Sequence, residues 1–92
     1  MELKGKQILK FAEEILNIPS PTGYTTNIVN YLIKECEKRD VKCERIKNGN
    51  LIIEIPGKTD FVLGLAAHVD TLGAIVRSIN SNGTLRFSIL GG

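Results

Sequence analysis

A chain of 92 residues, 42% hydrophobic and 24% charged, is ordinary globular material, enough for one small domain or part of a larger one. Its formal net charge of +2 is too small to draw in nucleic acid or an anionic membrane surface, so neither is an expected partner. No apolar run is long enough to span a bilayer, Met1 to Lys6 leads into an amphipathic pattern and not a signal core, and Cys36 and Cys43 form no CxxC pair, which together read as a cytoplasmic protein with free thiols.

Lys4 to Leu16 reads as a helix, because Ile8, Phe11, Ala12 and Ile15 recur at helical spacing and Leu9 and Leu16 widen the stripe. Pro19 stops it, since the residue before a proline avoids the helical region. Asn17 to Gly23 is then a stiff, turn-rich loop, read as a connector between helices. The second helix runs from about Thr25 to Arg39, with Thr22 or Thr25 as its N-cap. Ile28, Leu32 and Cys36 share its apolar face, with Val29 and Ile33 beside them, and Cys36 is a small core residue. Lys34, Glu35, Glu37, Lys38 and Arg39 form a solvated face.

From Val41 the period changes to two. A half-exposed strand over 41–47, the turn signal Asn48-Gly49-Asn50 and a returning strand Leu51 to Ile55 make a hairpin. Pro56 to Asp60 is a turn. Phe61 to Ala67 is a continuous apolar run of the length of a buried central strand, and it needs cover on both faces. It leads into His68, the one histidine of the sequence, and then Asp70. Residues two apart in an extended chain point to one side, so His68 and Asp70 face the same space at the strand's C-terminal end. An imidazole there can bind a metal through one nitrogen while a carboxylate holds the other. The alternative is a plain hydrogen-bonded polar pair, because a metal site needs three or four protein ligands. Ala74 to Ile79 and Thr84 to Leu90, joined by the turn Asn80 to Gly83, form a last hairpin. The expected order is two helices and five strands, an α/β arrangement that wants further elements to cover its sheet.

In four places these residues resemble the N-terminal part of an M42-type metallo-aminopeptidase. They are Ile18-Pro19-Ser20-Pro21-Thr22-Gly23, Asn48-Gly49-Asn50-Leu51-Ile52, Ala67-His68-Val69-Asp70-Thr71-Leu72-Gly73, and Gly83-Thr84-Leu85-Arg86-Phe87 closing on Leu90-Gly91-Gly92. The His-x-Asp-x-x-Gly motif followed by that hairpin is specific in combination. The family pattern has Met and Glu where this chain has Val69 and Thr71; the lost carboxylate bears on substrate preference and not on His68.

The resemblance implies an α/β fold: the N-terminal part of a zinc-peptidase-like mixed sheet with two leading helices, plus the first β-hairpin of an inserted β-rich domain. Residues 1–73 would be part of the catalytic domain and 74–92 the start of the inserted oligomerisation domain. It implies that His68 is a ligand to one of two divalent metal ions, zinc or cobalt, and that Asp70 is the catalytic carboxylate supporting its imidazole. It implies a peptide substrate, removal of N-terminal residues, and a homo-oligomer. The family's remaining metal ligands and its glutamate general base come later in sequence than Gly92. The 92-residue chain by itself is therefore expected not to hold both metals. A different class of function, a non-catalytic module that self-associates through exposed strands, stands beside the enzyme reading. A glycosidase role has little support, because no carboxylate pair suited to a glycosidic bond stands out.

Overall fold

The computed structural model describes residues 4–92. Two helices lead, α1 (Gly5–Leu16) and α2 (Thr26–Lys38), followed by strands β1 (Lys42–Arg45), β2 (Leu51–Glu54), β3 (Gly73–Ile79) and β4 (Leu85–Leu90). Helical periodicity located both helices to within a residue of their ends. α2 buries Ile28, Val29 and Cys36, the apolar face expected of it, while Leu32 and Ile33 are half-buried. Phe11 of α1 stacks on Tyr31 of α2 with ring centroids 6.1 Å apart, and the Arg39 guanidinium lies over Phe11 at 5.3 Å. The Tyr31 hydroxyl donates to Glu14, a bond that pushes its phenol pKa up to about 12. This aromatic and charged seam joins the helices, whereas Ile8, Leu9 and Leu16 stay exposed on α1.

α2 ends on Asp40 in the left-handed region at φ 53°, a conformation that a short polar side chain tolerates. The Val41 amide then donates to the Cys36 carbonyl and the Asp40 amide to the Glu37 carbonyl, so two of the helix's last carbonyls are satisfied as the chain turns into β1. At the N-terminus one of the two expected caps takes the position. Thr25 occupies the cap position without a side-chain cap bond, and the Thr22 hydroxyl is committed elsewhere.

β1 and β2 pair antiparallel with Lys42 opposite Glu54 and Arg45 opposite Leu51; β3 and β4 pair antiparallel with Gly73 opposite Leu90 and Ile79 opposite Leu85. Both hairpins close in the same way. Gly49 and Gly83 sit at φ 90° and 84° and donate back to the carbonyls of Ile46 and Asn80. Each glycine supplies the left-handed residue that ends a tight turn. Arg77 lies at a break in the β3–β4 register between Val76 and Ser78.

One expected strand is absent. Phe61 to Ala67 forms no strand, and Phe61, Val62, Leu63 and Leu65 are 77%, 85%, 73% and 90% exposed. The expectation of a buried central strand is thus corrected. The run is apolar on both sides, but strand structure belongs to a pair, and none of the described strands lies beside it. The outcome is an α/β chain with two leading helices and two separate two-stranded sheets. Its radius of gyration is 17.6 Å, well above the ~13 Å of a closed domain of about 100 residues. Among the described residues only Ser20, Ile28, Val29 and Cys36 are buried. Cys36 and Cys43 are free thiols, and burial, followed by the neighbouring Cys43, raises the Cys36 pKa. No helix among the described residues is long and apolar enough to cross a membrane.

Candidate functional site

The segment carrying His68 and Asp70 is held by the loop between α1 and α2. Thr71 forms a parallel bridge with Pro21, its amide donating to the Ser20 carbonyl at 2.8 Å. The Ser20 hydroxyl donates in turn to the Val69 carbonyl at 3.0 Å, and Ser20 is 2% exposed. One buried serine therefore engages both sides of Asp70 along the backbone. The two prolines around it fix φ and stiffen the loop that presents it. What read as a helix connector is thus a clamp on the motif, reaching it from about fifty positions earlier in the chain.

Gly73 makes the close approach possible. A Cβ built there would lie 2.5 Å from the Pro21 Cβ, a ring atom that cannot swing aside. Gly73→Ala is therefore expected to force the two segments apart, at the ~1–3 kcal/mol typical of overpacking. Amide hydrogen exchange checks it: Thr71 should lose protection in the variant, and unchanged protection would show that the contact gives way without strain.

His68 and Asp70 lie together, on the same side, as their spacing predicts. His68 Nδ1 is 3.0 Å from Asp70 Oδ1 and 3.1 Å from the Asp70 carbonyl oxygen. Both partners are acceptors, so the contact favours a proton on Nδ1, and in the neutral imidazole that leaves Nε2 as the lone-pair nitrogen. The other carboxylate oxygen, Oδ2, accepts the Thr22 hydroxyl at 2.9 Å. The Thr22 bond and then the His68 contact lower the Asp70 pKa below the usual carboxylate range, so the group stays ionised. The strand end expected to carry them is not formed, and the site is open: the His68 side chain is 84% exposed and that of Asp70 39%. With Phe61 to Ala67 forming no strand, no sheet among the described residues surrounds the motif.

The arrangement suits one ligand of a metal centre. A histidine whose Nδ1–H is held by a carboxylate offers Nε2 with its orientation fixed. It does not suit a complete centre. Among the described residues no group of three or more His, Cys, Asp or Glu side chains is placed to hold an ion. No chemical step through a metal follows from these residues. Sequence reasoning found His68 and Asp70 and missed Ser20 and Thr22. Both stand in the run Pro19-Ser20-Pro21-Thr22-Gly23, whose density of turn residues was the available signal.

Comparison with known proteins bears on what this site belongs to. The sequence profile described as M42 glutamyl aminopeptidase matches residues 49–92. The chain is 38% identical over 88 residues to the protein named putative aminopeptidase YhfE of Bacillus subtilis (strain 168), an overlap that takes in 95% of this chain and 25% of that protein. It is 35% identical over 72 residues to a Pyrococcus abyssi (strain GE5 / Orsay) protein named putative LysW-lysine/LysW-ornithine hydrolase, covering 78% of this chain and 21% of that one. A Pyrococcus furiosus protein of the same name is 31% identical over 83 residues, 90% of this chain and 25% of its own length. The chain thus spans about a quarter of the length of the curated relatives it matches.

Proposed function

Because the chain belongs to the M42 glutamyl aminopeptidase family, we propose that it supplies the leading part of a two-metal aminopeptidase that removes N-terminal residues from peptides. The observation that carries the reading is the His68 Nδ1 to Asp70 Oδ1 contact of 3.0 Å inside the family-matched segment. His68 is the metal ligand, through Nε2, and Asp70 is the carboxylate that fixes its tautomer and ring orientation. Zinc or cobalt ions, when bound in such a site, polarise a scissile carbonyl and activate a water. Residues 1–73 are the catalytic part, and 74–92, which take in nearly all of the β3–β4 hairpin, begin an inserted β-rich region that mediates homo-oligomerisation. The protein works in the cytoplasm on peptide substrates, without nucleic acid or membrane partners.

The coding sequence after Gly92 tests the proposal. It should supply an aspartate, a Glu-Glu pair and a further histidine. The protein expressed from it, loaded with cobalt or zinc, should release an aminoacyl chromophore, and His68→Ala should abolish that release. A reading frame without those residues, or full activity in His68→Ala, would overturn it. A second reading, a non-catalytic self-associating module, is favoured by the exposed residues Phe61, Val62, Leu63 and Leu65.

A further inference from the structure

The geometry around Asp70 assigns a role to Thr22: we propose that it is a positioning residue whose hydroxyl locks the Asp70 carboxylate so that His68 is held as its Nδ1–H tautomer with Nε2 free. Two carboxylate oxygens have two separate tasks. Oδ1 faces His68 Nδ1 at 3.0 Å and Oδ2 accepts from Thr22 Oγ1 at 2.9 Å. A carboxylate bonded at one oxygen can still turn about its terminal torsion, which is broad and soft. A second bond, from a donor anchored on another segment, removes that freedom. Thr22 is so anchored. It directly follows Pro21, which bridges to Thr71, and Ser20, which is buried and bonded to the Val69 carbonyl. Gly91 closes the far side, since a Cβ there would come within 3.1 Å of Thr22 Oγ1.

The chemistry matters because free histidine carries its proton mainly on Nε2, the nitrogen a ligand must leave bare. Holding the proton on Nδ1 needs an acceptor kept in place: the Asp70 carbonyl oxygen at 3.1 Å is one, and Thr22 keeps the charged one, Oδ1, turned toward the ring. The purpose of this arrangement rests on His68 being a metal ligand; the arrangement itself does not, so it can be tested without metal or substrate.

The experiment is a long-range nitrogen–proton correlation spectrum of the imidazole in the 92-residue chain, read above the imidazole titration. With one histidine in the sequence, both ring-nitrogen shifts are assigned at once. The native chain should show Nδ1 as the protonated nitrogen. Thr22→Val, which keeps the shape and removes the hydroxyl, should move the shifts toward the Nε2–H form, while Thr22→Ser, which keeps the hydroxyl and removes the methyl, should restore them. Thr71 amide protection is followed in each variant as a report on the loop. A Thr22→Val spectrum like the native one, or Val and Ser variants that shift alike, would overturn the proposal. A tautomer change that comes only with loss of Thr71 protection would also overturn it, because Thr22 would then be holding the loop and not the carboxylate. Failure of metal binding by His68 in a longer protein would leave the tautomer result untouched.

Discussion

The 92-residue chain, purified and supplied with cobalt or zinc, should release an aminoacyl chromophore no faster than its His68→Ala variant. Two-metal hydrolysis needs enough ligands to fix two ions, a general base within hydrogen-bond reach of the attacking water, and a pocket that orients the substrate. The described residues offer one imidazole with an outward lone pair and one carboxylate, and that carboxylate is already divided between His68 and Thr22. No cluster of three donor side chains is present among them. A histidine ligand that is 84% exposed also has water, not a shaped cavity, around the position an ion would take. The expected loss relative to a complete centre is the whole catalytic effect. Release above the His68→Ala control, dependent on added metal, would mean that the chain assembles a site in a way these residues do not predict, through a second copy or through groups held by substrate.

The features legible in the sequence were those that neighbouring residues decide. Ile28, Val29 and Cys36 are spaced by the helix they lie on, and the face they share is buried as that spacing requires. Gly49 and Gly83 marked two turns because only a few residue types take the left-handed conformation cheaply. The His68–Asp70 contact belongs to the same class, since two residues two apart in extended chain share a side whatever surrounds them. The misreadings were of partners distant in sequence. Thr22 and Thr25 both suit the N-cap of α2 by residue type; Thr25 takes the position, and the Thr22 hydroxyl bonds a carboxylate 48 positions away. Nothing in a local pattern distinguishes the two uses of a threonine. The run Phe61 to Ala67 reads as a buried central strand and forms none. Hydrophobicity states what a segment needs, and pairing depends on which other strands stand beside it.

That unmet need predicts association. Phe61, Val62, Leu63 and Leu65 are each more than two-thirds exposed, at 77%, 85%, 73% and 90%, and alternation along an extended chain puts Phe61, Leu63 and Leu65 on one side of it. The Phe61 amide donates to the Thr59 hydroxyl, but among the described residues the backbone from Val62 to Leu65 joins no strand and so invites a second one. Each side chain gains roughly 1.5–3 kcal/mol on full burial. Two copies seated on each other through this segment bury the set twice and pair the backbone as well, which offsets the several kcal/mol of lost translational and rotational freedom. The chain is therefore expected to sediment at low micromolar concentration as a dimer or larger species, with an unfolding midpoint that rises with protein concentration. Replacing Leu63 and Leu65 together by aspartate should return it to monomer mass, because a pair of like charges facing its own copy opposes the contact at the centre of the patch. A clean monomer mass for the native chain, with concentration-independent unfolding, would show that water alone accommodates the exposed run. Association that survives the double substitution would move the interface to the β3–β4 hairpin, where Ile75, Ile79, Phe87 and Ile89 are also exposed and the outer strand edges are open.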